Sequence, residues 1–310
     1  MFNKKSKSII MVPYANDINM HTGVNVKSMD SFNIYMKNCC VALLSVKKYN
    51  EDSDVALVTN IDVPEPYKKI LDDNRVLIIK VPFTTFKFED DYKWGLAFYK
   101  LCALKYVVEN MKYDFYAYLD ADIYVQSSFS NIWKECVQNI LLYDINHGLQ
   151  VKDYRCFLDE VQTLTNNDEI ITHYGGEFFA ASYENSKEFI SDCYNIFETI
   201  ASKKFYTHFG DEFILSLTAN KHRNKIKNSG SYIFRFWTSS FRLISTSYKY
   251  NPITIIHTPD EKEHGIIKIY NYFIRHGRLP SIKKVYRYLH LKHKRCKVVV
   301  LEVLGKFVKR

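Results

Sequence analysis

Asp120 and Asp122 stand one residue apart in the run 113–125, after the aromatic and apolar Phe115-Tyr116-Ala117-Tyr118-Leu119 and just before Ile123 and Val125. The run reads as a central strand ending on two carboxylates. On an extended backbone, residues two apart point to one face. Two carboxylates held that close repel unless a positive charge lies between them. A divalent cation answers this: Mg²⁺ or Mn²⁺ is held by one or two carboxylates, with substrate phosphates and water completing an octahedron at roughly 2.0–2.2 Å. A strand-terminal acid pair is also compatible with a solvated turn, but the apolar residues on both sides favour carboxylates held in place.

Other residues join this pair as candidates. Asn16 and Asp17 follow the apolar run 8–14, at the strand end where α/β sheets meet ligands. Gly175-Gly176 precede an apolar strand within 173–182, where glycine permits close backbone approach or positive φ. Asp211 and Glu212 open a predicted helix at 208–215, a place where acids also serve ordinary helix-start electrostatics. His257 ends a short β-branched strand, 253–257, and Lys262 follows it.

The elements that must position these groups alternate. Strands are predicted at 8–14, 54–60 and 75–81, and helices at 29–48, 67–71 and 94–111. Further helices are expected at 130–142 and 185–204, separated by a polar stretch at 143–172 with a loop at Asn166-Asn167. Such alternation implies a mainly parallel sheet with helices on both faces. Neither a Gly-x-Gly-x-x-Gly fingerprint nor a Gly-x-x-x-x-Gly-Lys loop is present, which argues against a dinucleotide dehydrogenase or a P-loop enzyme.

Of 310 residues, 47% are hydrophobic and 25% charged, ordinary for a globular chain with one large core. No stretch is long and apolar enough for a membrane span. The basic start, 1–7, leads only into a short strand-like run, so no signal peptide is expected. The seven cysteines include no Cys-x-x-Cys pair and read as reduced core thiols of a cytoplasmic protein. The formal charge of +9 is localised: residues 281–310 hold ten of the 43 Lys and Arg and one of the 34 acids, leaving 33 of each sign before them.

The ordered set Val12-Pro13-Tyr14-Ala15-Asn16-Asp17, Tyr99-Lys100-Leu101, Leu119-Asp120-Ala121-Asp122, Tyr174-Gly175-Gly176-Glu177, Gly210-Asp211-Glu212 and His257 with Lys262 resembles nucleotide-sugar glycosyltransferases of GT-A fold, most of all glycosyltransferase family 8. The resemblance spans about residues 8–265. It departs from the family in a shortened His–Lys gap without Pro-Trp, and in Glu212 where the family has Gln. It implies a GT-A catalytic domain at 1–265, with a basic, amphipathic C-terminal extension at 266–310. It further implies Asp120, Asp122 and His257 around Mn²⁺ or Mg²⁺, and Lys100 and Lys262 as diphosphate clamps. Tyr14, Asn16 and Asp17 would meet the base or ribose, as Asp120 could, and Gly175, Gly176 and Glu177 would lie on the substrate side. Asp211 and Glu212 would face the sugar or the acceptor hydroxyl as catalytic groups. Trp94, Tyr174, Phe178 and Trp237 are either sugar-stacking or core aromatics.

The expected function is transfer of a hexose from a nucleotide sugar, UDP-linked by the resemblance, to a surface glycan or lipid-linked acceptor. The cationic tail suits peripheral contact with an anionic membrane and equally a helix packed on the catalytic domain. Nucleic acid is not an expected partner, because no binding motif accompanies the charge. One alternative is a sugar-phosphate nucleotidyltransferase, though its Gly-rich basic loop is missing after the first strand. Another is a haloacid-dehalogenase-type phosphatase, which would carry Asp-x-Asp on its first strand. The third is a non-catalytic membrane- or nucleic-acid-binding protein acting through the tail.

Overall fold

The computed structural model describes residues 7–17, 30–88, 92–146, 151–238 and 253–291, with 296, 300, 303 and 304. A seven-stranded sheet forms the centre, in the order β3-β2-β1-β4-β7-β6-β8. Its strands are β1 (Ser8–Tyr14), β2 (Asp54–Thr59), β3 (Leu77–Lys80), β4 (Phe115–Leu119), β6 (Ile140–Asp144), β7 (Tyr174–Ser182) and β8 (Ile226–Asn228). Pairing is parallel except where β7 lies antiparallel to β4 and to β6. The expectation of a mainly parallel α/β sheet covered on both faces is met.

Strand alternation divides the core in two. Ile10 and Val12 of β1, Ala117 and Leu119 of β4, and Phe178 and Ala180 of β7 face one side. Ile9 and Met11, Tyr116 and Tyr118, and Phe179 and Ala181 face the other. This is the two-residue period of a sheet buried on both faces. The first side is covered by α1 (Ser31–Tyr49), α2 (Tyr67–Asp73), α4 (Ile132–Cys136), α8 (Gly265–His276) and α9 (Ile282–Tyr288). The second is covered by α3 (Tyr99–Asn110), α5 (Val151–Thr165), α6 (Tyr183–Ser202) and α7 (Asp211–Lys221).

A second, three-stranded sheet, β5-β10-β9, comprises β5 (Ile123–Val125), β9 (Ile233–Arg235) and β10 (Ile255–His257). It corrects the reading of 113–125 as one strand. The chain leaves the main sheet after Leu119, turns through Asp120-Ala121-Asp122, and enters the small sheet at Ile123. The acids therefore converge through a turn, not through the two-residue period of a strand. Helix α1 fixes the transition: Ser45 Oγ accepts from Val125 N at 3.0 Å, and Asn38 Nδ2 donates to Lys262 O at 3.0 Å.

Two other expectations fail. The predicted helix at 130–142 is the short α4 followed by strand β6, because Ile140-Leu141-Leu142-Tyr143 fills the place between β7 and β8. An apolar run this short fits either conformation, and pairing decides it. The polar stretch 143–172 contains α5, whose Phe157, Val161 and Leu164 are buried at helical spacing among charged residues. The loop at Asn166-Asn167 is present, with Asn166 at φ 56°.

The cysteines are free thiols, and only Cys156 and Cys296 are exposed. Beyond residue 265, Ile266, Ile269, Tyr270, Val285, Leu289 and Leu291 are buried in the same core as α1. Tyr286 also donates to Gln126 Oε1 at 2.6 Å. Most of the tail after 291 lies outside the described residues. Among those described, no helix is long and apolar enough to cross a membrane.

Candidate active site

The site lies where the strand order reverses. The C-terminal ends of β1 and β4 are neighbours there, with crossovers leaving in opposite directions, and open α/β sheets bind ligands in such a crevice. Strand β4 ends at Leu119, and the N–H of the next residue, Asp120, donates to Glu177 O on β7 at 3.1 Å. On the far side of the turn, Ile123 pairs with His257, and Thr258 N donates to Asp122 O at 3.1 Å. Strand β9 runs parallel to β10 with Arg235 beside His257. The small sheet thus brings residues 122, 235 and 257 to one end.

One ligand atom each from Asp120, Asp122 and His257 lies within 4.8 Å of the others. Two carboxylates and an imidazole make a suitable donor set for Mn²⁺ or Mg²⁺, with further positions left for phosphate oxygens. Asp122 is only 2% exposed. Burial pushes its carboxyl up, but Lys262 (Nζ–Oδ2 2.8 Å) and His257 (Nε2–Oδ2 3.2 Å) outweigh this and hold it well below the carboxylate range. Burial also disfavours the charged His257, yet Asp122 and Glu177 raise its pKa to about 9. Ligation requires the neutral imidazole, so a cation held by these residues displaces a proton.

Lys100, from α3, lies 3.1 Å from Asp120 Oδ1 and 2.9 Å from Asp211 Oδ2, and donates to Gly176 O at 2.9 Å. Asp211 opens α7 after Gly210, which has φ 61°. Burial raises its carboxyl to about 6, with Lys100 opposing and Glu212 and Asp120 adding to the rise. Its neighbour Glu212 behaves oppositely. Burial alone would raise it, but Arg235 (2.8 Å) and His173 (3.1 Å) bring it down to about 2. Two adjacent acids are thereby driven apart in pKa, the usual arrangement for dividing proton transfer from charge stabilisation.

The two glycines of β7 serve close approach, since neither has positive φ. A Cβ at Gly175 would overlap Glu177 Oε2, and one at Gly176 would overlap Asp211 Oδ2 and lie 2.7 Å from Lys100 Nζ. Gly176→Ala should therefore displace the Lys100–Asp211 pair and cost about 1–3 kcal/mol, the range for overpacking a filled site. Urea unfolding checks this, and an unchanged midpoint would refute it.

A cleft of about 380 Å³ opens over these groups. Of the predicted residues, Tyr14, Lys100, Asp120, Asp122, Asp211, Glu212, His257 and Lys262 line it, as do Trp94 and Trp237. Others lie outside the lining. Asn16 exchanges hydrogen bonds with Asn60, both at 3.0 Å, and Asp17 pairs with Lys87 at 3.1 Å. Glu177 is fully buried, with its oxygens directed to Arg235 and His257. Phe178 is a core residue, and Tyr174 packs at the edge of the second core.

Sequence reasoning missed Arg235, Tyr35 and His173. Arg235 sits on a three-residue strand that carries no motif. Tyr35, on α1, stacks on Tyr14 (5.7 Å, 24°) at the cleft wall. His173, beside Gly175, stacks on Phe157 at 4.2 Å. No protein-family model matches the chain, and no curated protein matches it.

Proposed function

We propose that this chain is a metal-dependent glycosyltransferase that moves a hexose from a nucleotide sugar, UDP-linked, to a hydroxyl of a surface-glycan or lipid-linked acceptor. The observation that carries the reading is the convergence of Asp120, Asp122 and His257 within 4.8 Å, at the strand ends of a switch-point cleft. Those three residues would hold Mn²⁺ or Mg²⁺, which when bound offsets the charge gathering on a leaving diphosphate.

The chain's own groups supply the rest. Lys262 and Lys100 set fixed positive charge beside the carboxylates, where the leaving diphosphate would lie. Tyr14 and Tyr35 give a stacked aromatic wall for a base, and Trp94 and Trp237 give apolar faces for a sugar ring. Asp211, at about 6, suits a proton acceptor for an acceptor hydroxyl near neutral pH. Glu212, at about 2, stays ionised and suits stabilisation of an oxocarbenium-like sugar.

The test is a panel of nucleotide sugars incubated with Mn²⁺ or chelator, with and without glycan acceptors, reading nucleoside diphosphate release and calorimetric UDP binding. Metal-dependent release from one donor supports the reading. Silence across the panel together with no metal-dependent UDP binding sinks it.

The C-terminal face supports a membrane-surface acceptor handled in the cytoplasm. A groove between α8 and α9 is lined by Lys268, Arg275, His276 and Lys284 with two tyrosines, and no Asp or Glu occurs from 265 to 301. Ile274, Val300, Val303 and Leu304 are exposed beside this charge in sequence. The protein should sediment with phosphatidylglycerol vesicles and not with phosphatidylcholine vesicles, since each basic residue near an anionic leaflet contributes about 1 kcal/mol. Equal partitioning to both would remove this partner.

A further inference from the structure

Glu177 is a carboxylate in the middle of an apolar strand, 0% exposed. An isolated charge in such a place is very costly, so its partners indicate what it is kept for. Arg235 meets it as a fork, Nε to Oε1 at 2.7 Å and one terminal nitrogen to Oε2 at 2.5 Å. Such two-point pairing fixes orientation as well as charge. The third partner is His257, whose Nδ1 lies 3.1 Å from Glu177 Oε1. Gly175, two residues before Glu177 on the same strand face, leaves open the space that this carboxylate fills.

The consequence falls on the opposite ring nitrogen. With Nδ1–H donated to Glu177, the neutral ring carries its lone pair on Nε2, the atom 3.2 Å from Asp122 Oδ2. A histidine that ligates a metal commonly donates its other N–H to a carboxylate, which fixes the tautomer and raises ligand basicity. We infer that Glu177, itself clamped by Arg235, is the positioning residue that presents His257 Nε2 to a divalent cation shared with Asp120 and Asp122. Arg235 also holds Glu212, so one guanidinium aligns the cation site and the acid beside it. This inference rests on the metal-dependent reading proposed above. It moves Glu177 from a substrate contact to a support behind the ligand shell.

The test reads metal binding without turnover. Mn²⁺ is titrated into the full-length protein and into Glu177→Gln, Glu177→Ala and Asp192→Asn, and free Mn²⁺ is followed by electron paramagnetic resonance. The Asp192 variant is the control, since it removes a carboxylate from the histidine His222 (2.7 Å) outside the cleft. Melting of each protein without metal checks the fold. The Mn²⁺ Kd should rise about 10- to 100-fold in Glu177→Ala. The ¹⁴N modulation of the coordinated imidazole should weaken or vanish in the pulsed spectrum. Glu177→Gln, whose amide oxygen still accepts from Nδ1–H, should show the smaller rise and keeps the test alive if the Ala variant does not fold. Wild-type affinity with unchanged ¹⁴N modulation in both variants would overturn the inference alone. Absence of Mn²⁺ binding by the wild-type protein would overturn it together with the metal-dependent reading.

Discussion

Asp122→Asn should lower metal-dependent nucleoside diphosphate release about a thousand-fold, taking metal charge stabilisation as several kcal/mol and each 1.36 kcal/mol as a factor of ten. Three features of Asp122 set the size of this effect. It is 2% exposed, so no bulk water takes over its charge. It lies between Lys262 at 2.8 Å and His257 at 3.2 Å, so its negative charge balances two cationic groups. Asparagine keeps the shape but supplies only a neutral oxygen, and a divalent cation would then add to uncompensated positive charge. Asp120 is less enclosed and shares Lys100 with Asp211, so Asp120→Asn should fall less far. Release assays with both variants beside chelated wild-type protein decide the matter. Wild-type rates in Asp122→Asn would remove the metal from the mechanism.

Arg235→Met should destabilise the fold by about 3–5 kcal/mol, the cost of removing one partner from a buried ion pair. The guanidinium meets Glu177 and Glu212 together, so its loss strands the fully buried Glu177 and takes the nearer cation from Glu212 at the cleft wall. The deficit should depend on pH, and Glu212 gives the sign. Burial pulls its pKa up, and Arg235 and His173 pull it further down, from 4.5 to about 2. A pKa depressed in the folded state stabilises fully above the unfolded value, and that contribution disappears as pH falls through the folded value. Wild-type protein should therefore lose this contribution between about pH 4.5 and about pH 2. In the variant, burial acts without Arg235, so the carboxyl takes up a proton at higher pH and the fold suffers less from it. The difference between the two proteins should be largest at neutral pH and narrow on acidification. Urea unfolding at pH 7, 5 and 3 measures it, and a deficit below 1 kcal/mol or one independent of pH would contradict the account.

Much of the fold follows from local pattern. The apolar runs that became β1 and β2, and the periodic stretches that became α1, α3 and α6, stand close to their predicted limits. Each buries a face whose period is written in its own residues. The run 113–125 instead splits into β4, a turn and β5. Failures came where that signal is short or diluted. The run 140–143 is too brief to choose between helix and strand, and in α5 charged residues mask the spacing of Phe157, Val161 and Leu164.

For the site, the sequence by itself determined which chemistry is on offer: two acids one residue apart, two more at a helix start, a late histidine, and lysines near each. Residue type and spacing are local properties, and these groups could be named without a fold. Only the tertiary structure decided which of them meet. His257 reaches Asp122 because β10 pairs antiparallel with β5, although 131 residues of chain lie between Val125 and His257. Arg235 joins them through a three-residue strand that has no sequence signature. Glu177 and Asn16 were equally plausible ligand contacts in the sequence. The pleat of β7 turns Glu177 inward to Arg235 and His257, and the Asn60 side chain ties down the backbone N–H and C=O of Asn16. A strand's own pattern sets which face it buries, but not which distant strand lies beside it, and these meetings depend on the latter.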